Sequence, residues 1–238
     1  MMKLRSFALT DVGLVRPENE DSFLCNDAHQ LYAVADGIGG LPSGGQASQL
    51  TVATLEKIFT NHEAGHKLNY PRILAEVNDQ VFRLGRVLSP QFGIGSTLTF
   101  AHVIGVKLNI GHVGDSCVMR LRSKHLEQLP RAHTIETELK DRAARGEPMV
   151  LLMENRNALT RCIGQPPPLD AECTSHTMLP HDRYLLCSDG ISRFINVEEI
   201  KDVLSTATEP EAAARELIQR ANDRGGLDNS TAVVLFSD

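Results

Sequence analysis

The sequence predicts an α+β fold in which two antiparallel sheets pack face to face with helices outside them. Two observations carry this. Short apolar segments come in blocks, joined by loops too short for anything but antiparallel pairing. Between the blocks lie paired stretches whose apolar residues recur at helical spacing. A βαβ winding would instead alternate single strands with single helices.

Taken in order, Phe7 to Val12, Ser22 to Cys25 and Leu31 to Ala35 are predicted strands, each followed by Gly, Asn or Asp at a tight turn. From about Ser43 the period changes, with Val52, Leu55, Ile58 and Phe59 on one helical face. A second helix follows from Pro71, carried by Ile73, Leu74, Val77, Val81 and Leu84. Strands return at Thr97 to Val103, Val106 to Ile110 and Cys117 to Arg122, the last two with apolar residues at every second position. Thr134 to Arg145 is a predicted short polar helix, and Gly146 to Pro168, with Pro166-Pro167-Pro168, is predicted irregular. A buried strand at Tyr184 to Cys187, helices near Glu198 to Leu204 and Glu211 to Ala221, and a last strand at Thr231 to Phe236 complete the chain. There is no internal repeat or linker, so 1–238 is expected to be a single domain.

The net charge of −6, with Lys and Arg scattered rather than striped, gives no general attraction to nucleic acid or to an anionic membrane. No stretch approaches the roughly 18 apolar residues that span a bilayer, and Met1-Met2-Lys3-Leu4-Arg5 is not followed by an apolar run. A cytoplasmic protein without membrane insertion is expected. The cysteines (Cys25, Cys117, Cys162, Cys173, Cys187) are odd in number and lack a Cys-x-x-Cys pair, so free thiols are expected rather than zinc or a disulfide framework. His62, His66, His102, His112, His125 and His176 fit no metal-ligand spacing and are assigned to surface or core.

The acidic residues are more informative, because several stand at the ends of apolar strands. Asp36-Gly37 follows Leu31 to Ala35, Asp189-Gly190 follows Leu185 to Ser188, and Asp228-Asn229 precedes Thr231 to Leu235. One such Asp-Gly is ordinarily a turn. Several carboxylates converging at one edge of a sandwich would repel one another unless cations neutralised them, and all-oxygen ligands without His or Cys favour Mg²⁺ or Mn²⁺ over zinc. A second concentration, Thr10 to Asp21, holds Glu20 and Asp21 beside Arg16. It reads either as a solvated acidic loop with Arg16 as counter-charge, or as metal-serving carboxylates beside an arginine whose planar fork grips phosphate.

Seven segments then occur in order: Thr10-Asp11-x-Gly13-x-x-Arg16-x-x-Asn19-Glu20-Asp21; Asp36-Gly37-Ile38-Gly39-Gly40 with Gly45 and Ala47-Ser48; Gly95-Ser96-Thr97; Gly111-His112-Val113-Gly114-Asp115-Ser116; Asn157-x-Leu159-Thr160-Arg161-x-Ile163-Gly164; Leu186-Cys187-Ser188-Asp189-Gly190; and Asp228-Asn229-Ser230-Thr231. Together they resemble the motifs of the metal-dependent protein phosphatases of the 2C type, in family order and across nearly the whole chain. The resemblance implies a four-layer αββα sandwich, with a central antiparallel β-sandwich flanked by helix pairs and a two-metal site at one end. It implies that Asp36 bridges two Mn²⁺ or Mg²⁺ ions and that the Gly37 carbonyl is a ligand, with Glu20 on one side and Asp189 and Asp228 on the other. Asp115, with Asp189, matches the place of a third, weaker ion in bacterial members. Arg16 matches the phosphate-binding arginine, and Asp21 a residue that positions water. The implied chemistry is hydrolysis of phosphoserine and phosphothreonine on proteins by a metal-activated bridging hydroxide.

The chain departs from the family pattern in places. Ile38 stands where animal members carry a His proposed as general acid, as is usual for bacterial members, which mostly have Met there. Cys117 replaces the usual Arg after Gly-Asp-Ser. Leu129-Pro130-Arg131-Ala132-His133-Thr134 resembles a segment whose Asp is here Ala132. The flap bordering the active site corresponds to about 134–168 and carries the apolar run Met149-Val150-Leu151-Leu152-Met153, either a self-packing helix face or an exposed docking surface. Two competing readings are a pseudophosphatase, against which the intact carboxylates weigh, and a partner-switching phosphatase, for whose sensor domain the chain has no room. The expected partners are phosphorylated proteins and a serine/threonine kinase acting on the same targets, for instance in secretion-system or envelope signalling, and the expected state is a monomer.

Overall fold

The computed structural model describes residues 3–41, 43–62, 67–147 and 156–238, so the apolar run at 149–153 lies outside the described residues. In chain order the elements are β1 (Leu4–Asp11), β2 (Asp21–Asn26), β3 (Leu31–Asp36), α1 (Gly44–Thr60), α2 (Tyr70–Leu88), β4 (Leu98–Ile104), β5 (Lys107–Val113), β6 (Cys117–Arg122), β7 (His125–Gln128), α3 (Ile135–Ala144), β8 (Glu172–Thr177), β9 (Arg183–Cys187), α4 (Asp189–Ser192), α5 (Val197–Thr206), α6 (Pro210–Asp223) and β10 (Ser230–Ser237). One sheet runs β1-β10-β9-β6-β7 and the other β2-β3-β4-β5-β8. Every neighbouring pair is antiparallel.

Strand alternation builds the layers. Tyr32 and Val34 point between the sheets, where they meet Tyr184, Leu186, Val233 and Leu235. Ala33 and Ala35 point the other way, onto Leu55 and Phe59 of α1 and Leu74 and Val77 of α2. Across the sandwich, Ala232 and Val234 face outward onto Leu204 of α5 and Leu217 of α6. These strands are covered on both faces, so their sequences are continuous apolar runs rather than alternations. The α+β, two-sheet expectation therefore holds.

The local signals behave as their chemistry requires. Asn69 caps α2 by accepting from Arg72 N at 3.1 Å, with Pro71 in the first turn where its missing N–H costs nothing. Asn196 and Glu199 form a capping box on α5. Three elements go beyond the sequence expectation. β7 and β8 are polar edge strands, half exposed, whose pairing comes from β6 and β5 rather than from an apolar pattern of their own. α4 has four residues, too few to show a period. β1 also starts at Leu4, because it pairs with β10 from Leu4↔Ser237 to Asp11↔Ser230.

Register fixes where the acidic residues emerge. Asp21 pairs with Asp36, so both stand at the same end of their sheet. Cys187 pairs with both Ala232 and Cys117. Asp189, Asp228 and Asp115, which lie a few residues beyond these partners, therefore leave the other sheet at one end.

At the β8–β9 turn, buried Asp182 accepts from Arg122 Nε at 2.7 Å, Leu179 N at 2.8 Å and Tyr184 Oη at 2.8 Å. Burial alone would raise its pKa, but the donors led by Arg122 outweigh burial and hold it below 3.8. The stabilisation is present above the unfolded value and lost as pH falls through the folded one. Asp182→Asn should destabilise the protein by about 2 kcal/mol at neutral pH. In urea titrations the gap between variant and wild type should shrink below about pH 4; a gap that stayed constant would show that charge is not the source.

Candidate active site

The site begins with two loops locked together. Gly13, at φ 79°, lies so close to the loop before β10 that a Cβ would sit 2.5 Å from Asp228 O. Leu14 N donates to Gly226 O at 2.8 Å. Asn229 completes the clamp: its Nδ2 donates to Val12 O at 2.9 Å and Glu18 O at 3.0 Å, and its Oδ1 accepts from Glu20 N at 2.9 Å. Arg16 is thereby presented at the rim, with Nη2 2.9 Å from Asp228 Oδ2.

The start of α1 abuts the end of β3. A Cβ at Gly37 would lie 2.4 Å from Gly44 O, and one at Gly44 would lie 2.6 Å from Glu20 Oε1. Glycine at 44 thus lets the Gly37 backbone and the Glu20 carboxylate both close on the start of α1. Asp36 is held by its backbone, with N donating to Thr97 Oγ1 at 2.9 Å and O accepting from Thr97 N at 2.8 Å. Asp115 follows Gly114 (φ 113°), whose carbonyl accepts from His133 N at 2.7 Å. The Leu129 to Thr134 segment thus keeps an ordered turn despite Ala132. Asp189 opens α4, and Gly190 permits close approach to Asn229 O.

These residues line one cleft of about 240 Å³, shared by Arg16, Glu20, Asp36, Gly37, Asp115, Asp189 and Asp228, with Asn157 and Leu159 of the 134–168 segment on its border. Asp21 alone of the sequence-predicted residues stands behind it. Buried between the sheets, Asp21 Oδ2 accepts from Ser188 Oγ at 2.7 Å and Thr231 Oγ1 at 2.6 Å, while its Oδ1 is buried without a partner among the described residues.

Burial and mutual repulsion dominate the electrostatics. Burial, then the carboxylates of Asp21 and Asp189, push Asp36 well above the ordinary range. Burial raises Asp21 to about 7 and Asp115 to about 6. It also raises Asp189, against the pull of Arg193.

Among the described residues no three Asp, Glu, His or Cys side chains close on a single point. Arg16 engages Asp228, and Arg193 engages Asp115 and Asp189. Among the described residues, no Arg or Lys pairs with Glu20 or Asp36. An all-oxygen donor set, two carboxylates lacking cationic partners, an orphaned buried Asp21 oxygen and a glycine-lined approach fit hard divalent cations. Among the described residues no histidine lines the cleft, and His112 is a core residue, with Nδ1 2.8 Å from Thr99 Oγ1 and Nε2 3.0 Å from Arg131 O. The cysteines are free, with Cys117 Sγ and Cys187 Sγ 3.4 Å apart.

A family profile described as protein phosphatase 2C matches residues 17–225. The chain belongs to that family. Serine/threonine protein phosphatase PstP of Mycobacterium tuberculosis is 33% identical over 232 residues, which cover 97% of this chain and 44% of PstP. Protein phosphatase PhpP of Streptococcus pneumoniae is 27% identical over 236 residues, covering 95% of each. Among solved structures, PppA, a key regulatory component of T6SS in Pseudomonas aeruginosa, superposes with a TM-score of 0.86 at 32% identity, covering 99% of this chain and 98% of that one. The catalytic domain of PstP in complex with two manganese ions gives 0.83 at 31% identity, over 100% and 99%. As a protein phosphatase 2C, the chain is a metal-dependent serine/threonine protein phosphatase.

Two residues of the phosphatase cleft had no role in the sequence reading. Asn229 was visible only as the neighbour of Asp228. Arg193 had a readable signal, since it follows Asp189 by four residues, the spacing that stacks side chains on a helix.

Because Asp36 has a folded-state pKa above the unfolded 3.8, its contribution favours folding in acid and is lost as pH rises through the folded value. In chelator, the melting temperature of the wild type should fall as pH rises above the unfolded value of 3.8, and that of Asp36→Asn should fall less. Parallel curves would show that Asp36 is not strained by its neighbours.

Proposed function

We propose that Glu20, Asp36, the Gly37 carbonyl, Asp189 and Asp228 hold two Mn²⁺ or Mg²⁺ ions in this cleft, and that phosphoserine and phosphothreonine of protein substrates are hydrolysed there. The observation that carries this is the convergence of these acidic groups around one cleft with Arg16 at its rim. Bound in this way, the ions supply activated water and offset negative charge on the phosphoryl group.

The chain's own groups do the rest. Arg16 stays charged at every relevant pH and draws the phosphate dianion to the rim. Its contact with Asp228 fixes the guanidinium, leaving the remaining N–H groups for phosphoryl oxygens. Asp21 orients water through Oδ1, which has no partner among the described residues. Ile38 lies on the cleft wall, packed toward Gly95, and carries no proton to give, so the serine alkoxide takes its proton from another source.

The substrates are phosphoproteins, and a serine/threonine kinase acting on the same targets is the matching partner. The similarity to PppA supports a signalling role of that kind. A monomer acting in the cytoplasm is the simplest setting, and among the described residues no helix is long and apolar enough to cross a membrane. Comparison of phosphoproteomes with and without the gene would identify the targets.

Purified protein should hydrolyse p-nitrophenyl phosphate and phosphothreonine peptides only with Mn²⁺ or Mg²⁺, and full turnover in excess chelator would refute the assignment. Asp36→Asn and Asp189→Asn should each lower kcat by roughly 10²-fold, equivalent to about 2.7 kcal/mol of barrier. Arg16→Ala should raise KM for phosphopeptides while leaving Mn²⁺ affinity nearly unchanged, and Arg16→Lys should restore it in part. Weakened metal binding with an unchanged KM would instead place Arg16 in the structural charge network.

A further inference from the structure

Asp115 and Asp189 come from different loops to the edge of the cleft, and a guanidinium joins them. Arg193 Nη2 lies 2.8 Å from Asp115 Oδ2, and Arg193 Nη1 lies 2.8 Å from Asp189 Oδ2. One planar fork thus spans two carboxylates, one nitrogen to each.

The contact is built by the backbone. Arg193 N donates to Asp189 O at 2.9 Å, closing the turn that returns the side chain over Asp189. The carboxylates are nearly covered, at 9% and 12% side-chain exposure, whereas Arg193 keeps 39%. Two desolvated like charges therefore share a cation whose outer side is wet. Without a positive group between them they would repel each other in a poorly screened setting.

A third divalent ion at this place would sit beside the guanidinium that already bridges Asp115 Oδ2 and Asp189 Oδ2. Each contact takes only Oδ2 of its carboxylate, but the guanidinium already neutralises the pair and leaves little net negative charge there to hold a further divalent cation. We infer that Arg193 is a built-in cation that takes the place of a third ion between Asp115 and Asp189, so that this phosphatase works with two ions. The inference rests on the two-ion reading of the cleft given above. It makes Asp115 the anchor of Arg193 rather than a metal ligand, and Arg193 a positioning residue that holds Asp189 through a charge independent of metal concentration.

The test is a count of bound metal. Mn²⁺ binding is measured by titration calorimetry, with elemental analysis after gel filtration, for the wild type, Arg193→Ala, Arg193→Lys, Asp115→Asn and the double variant Arg193→Ala/Asp115→Asn. The wild type, Asp115→Asn and Arg193→Lys should bind two ions. Arg193→Ala should bind two and gain a third, weaker by at least about tenfold because only two carboxylates serve it, and the double variant should lose it again. Without metal, Arg193→Ala should melt below the wild type, and Mn²⁺ should raise its melting temperature more than it raises that of the wild type.

A third ion in the wild type that disappears in Asp115→Asn would overturn the inference. So would an Arg193→Ala protein that melts like the wild type and binds only two ions. Failure of the wild type to bind any Mn²⁺ would remove the two-ion reading itself, and this inference with it. Two bound ions without phosphatase turnover would refute only the catalytic reading, leaving the metal count to decide the role of Arg193.

Discussion

Carboxylates gathered at one end of a β-sandwich repel one another and give up hydration, and much of the surrounding structure is arranged against that cost. Asp36 sits fully inside this field, its charge opposed first by burial and then by its acidic neighbours. The protein offsets part of it with two arginines at the edges, Arg16 on Asp228 and Arg193 on Asp115 and Asp189. Among the described residues no arginine or lysine pairs with Asp36 or Glu20 at the centre, which is where divalent cations are proposed. Stability and chemistry are therefore in tension at the same atoms: an uncharged replacement eases folding and removes the groups that do the work.

The cost can be sustained because the scaffold beneath is covered on every side. Three separate apolar layers, one between the sheets and one under each helical face, keep the strand ends where the register puts them. Small residues then do what side chains could not. Gly13, Gly37, Gly44 and Gly190 sit where a single added carbon would strike backbone or carboxylate. Cleft geometry is thus set by backbone approach as much as by the acidic residues that decorate it.

Most of the fold was legible because the strands that matter most are apolar runs and the helices have clean periods, as in Leu31 to Ala35 and Ile73 to Leu84. What escaped notice lacks such a signal. β7 and β8 are polar edges, placed by their neighbours' hydrogen bonds, and α4 is too short for any period. The cleft was legible as a set of motifs, and the structure brings Arg16, Glu20, Asp36, Gly37, Asp115, Asp189 and Asp228 to one cleft. The sequence could not reveal that Asp21 stands behind the wall between Ser188 and Thr231, because that depends on two strands far apart in the chain lying side by side. Nor did it reveal the double contact of Arg193, since one of its two carboxylates arrives from a loop 78 residues away.

The clamp at Asn229 joins the first loop of the chain to the last strand, and β1 pairs with β10 along its whole length. A ribosome delivers Asn229 217 residues after Val12. Arg16 and Glu20 emerge early, yet they acquire their geometry only when residues 226–230 appear. Until then the cleft lacks Asp228 and the Asn229 clamp. The cleft is therefore assembled only when the segment leading into β10 joins the first loop, and a polypeptide interrupted before residue 226 would lack Asp228 and the clamp that sets Arg16 and Glu20.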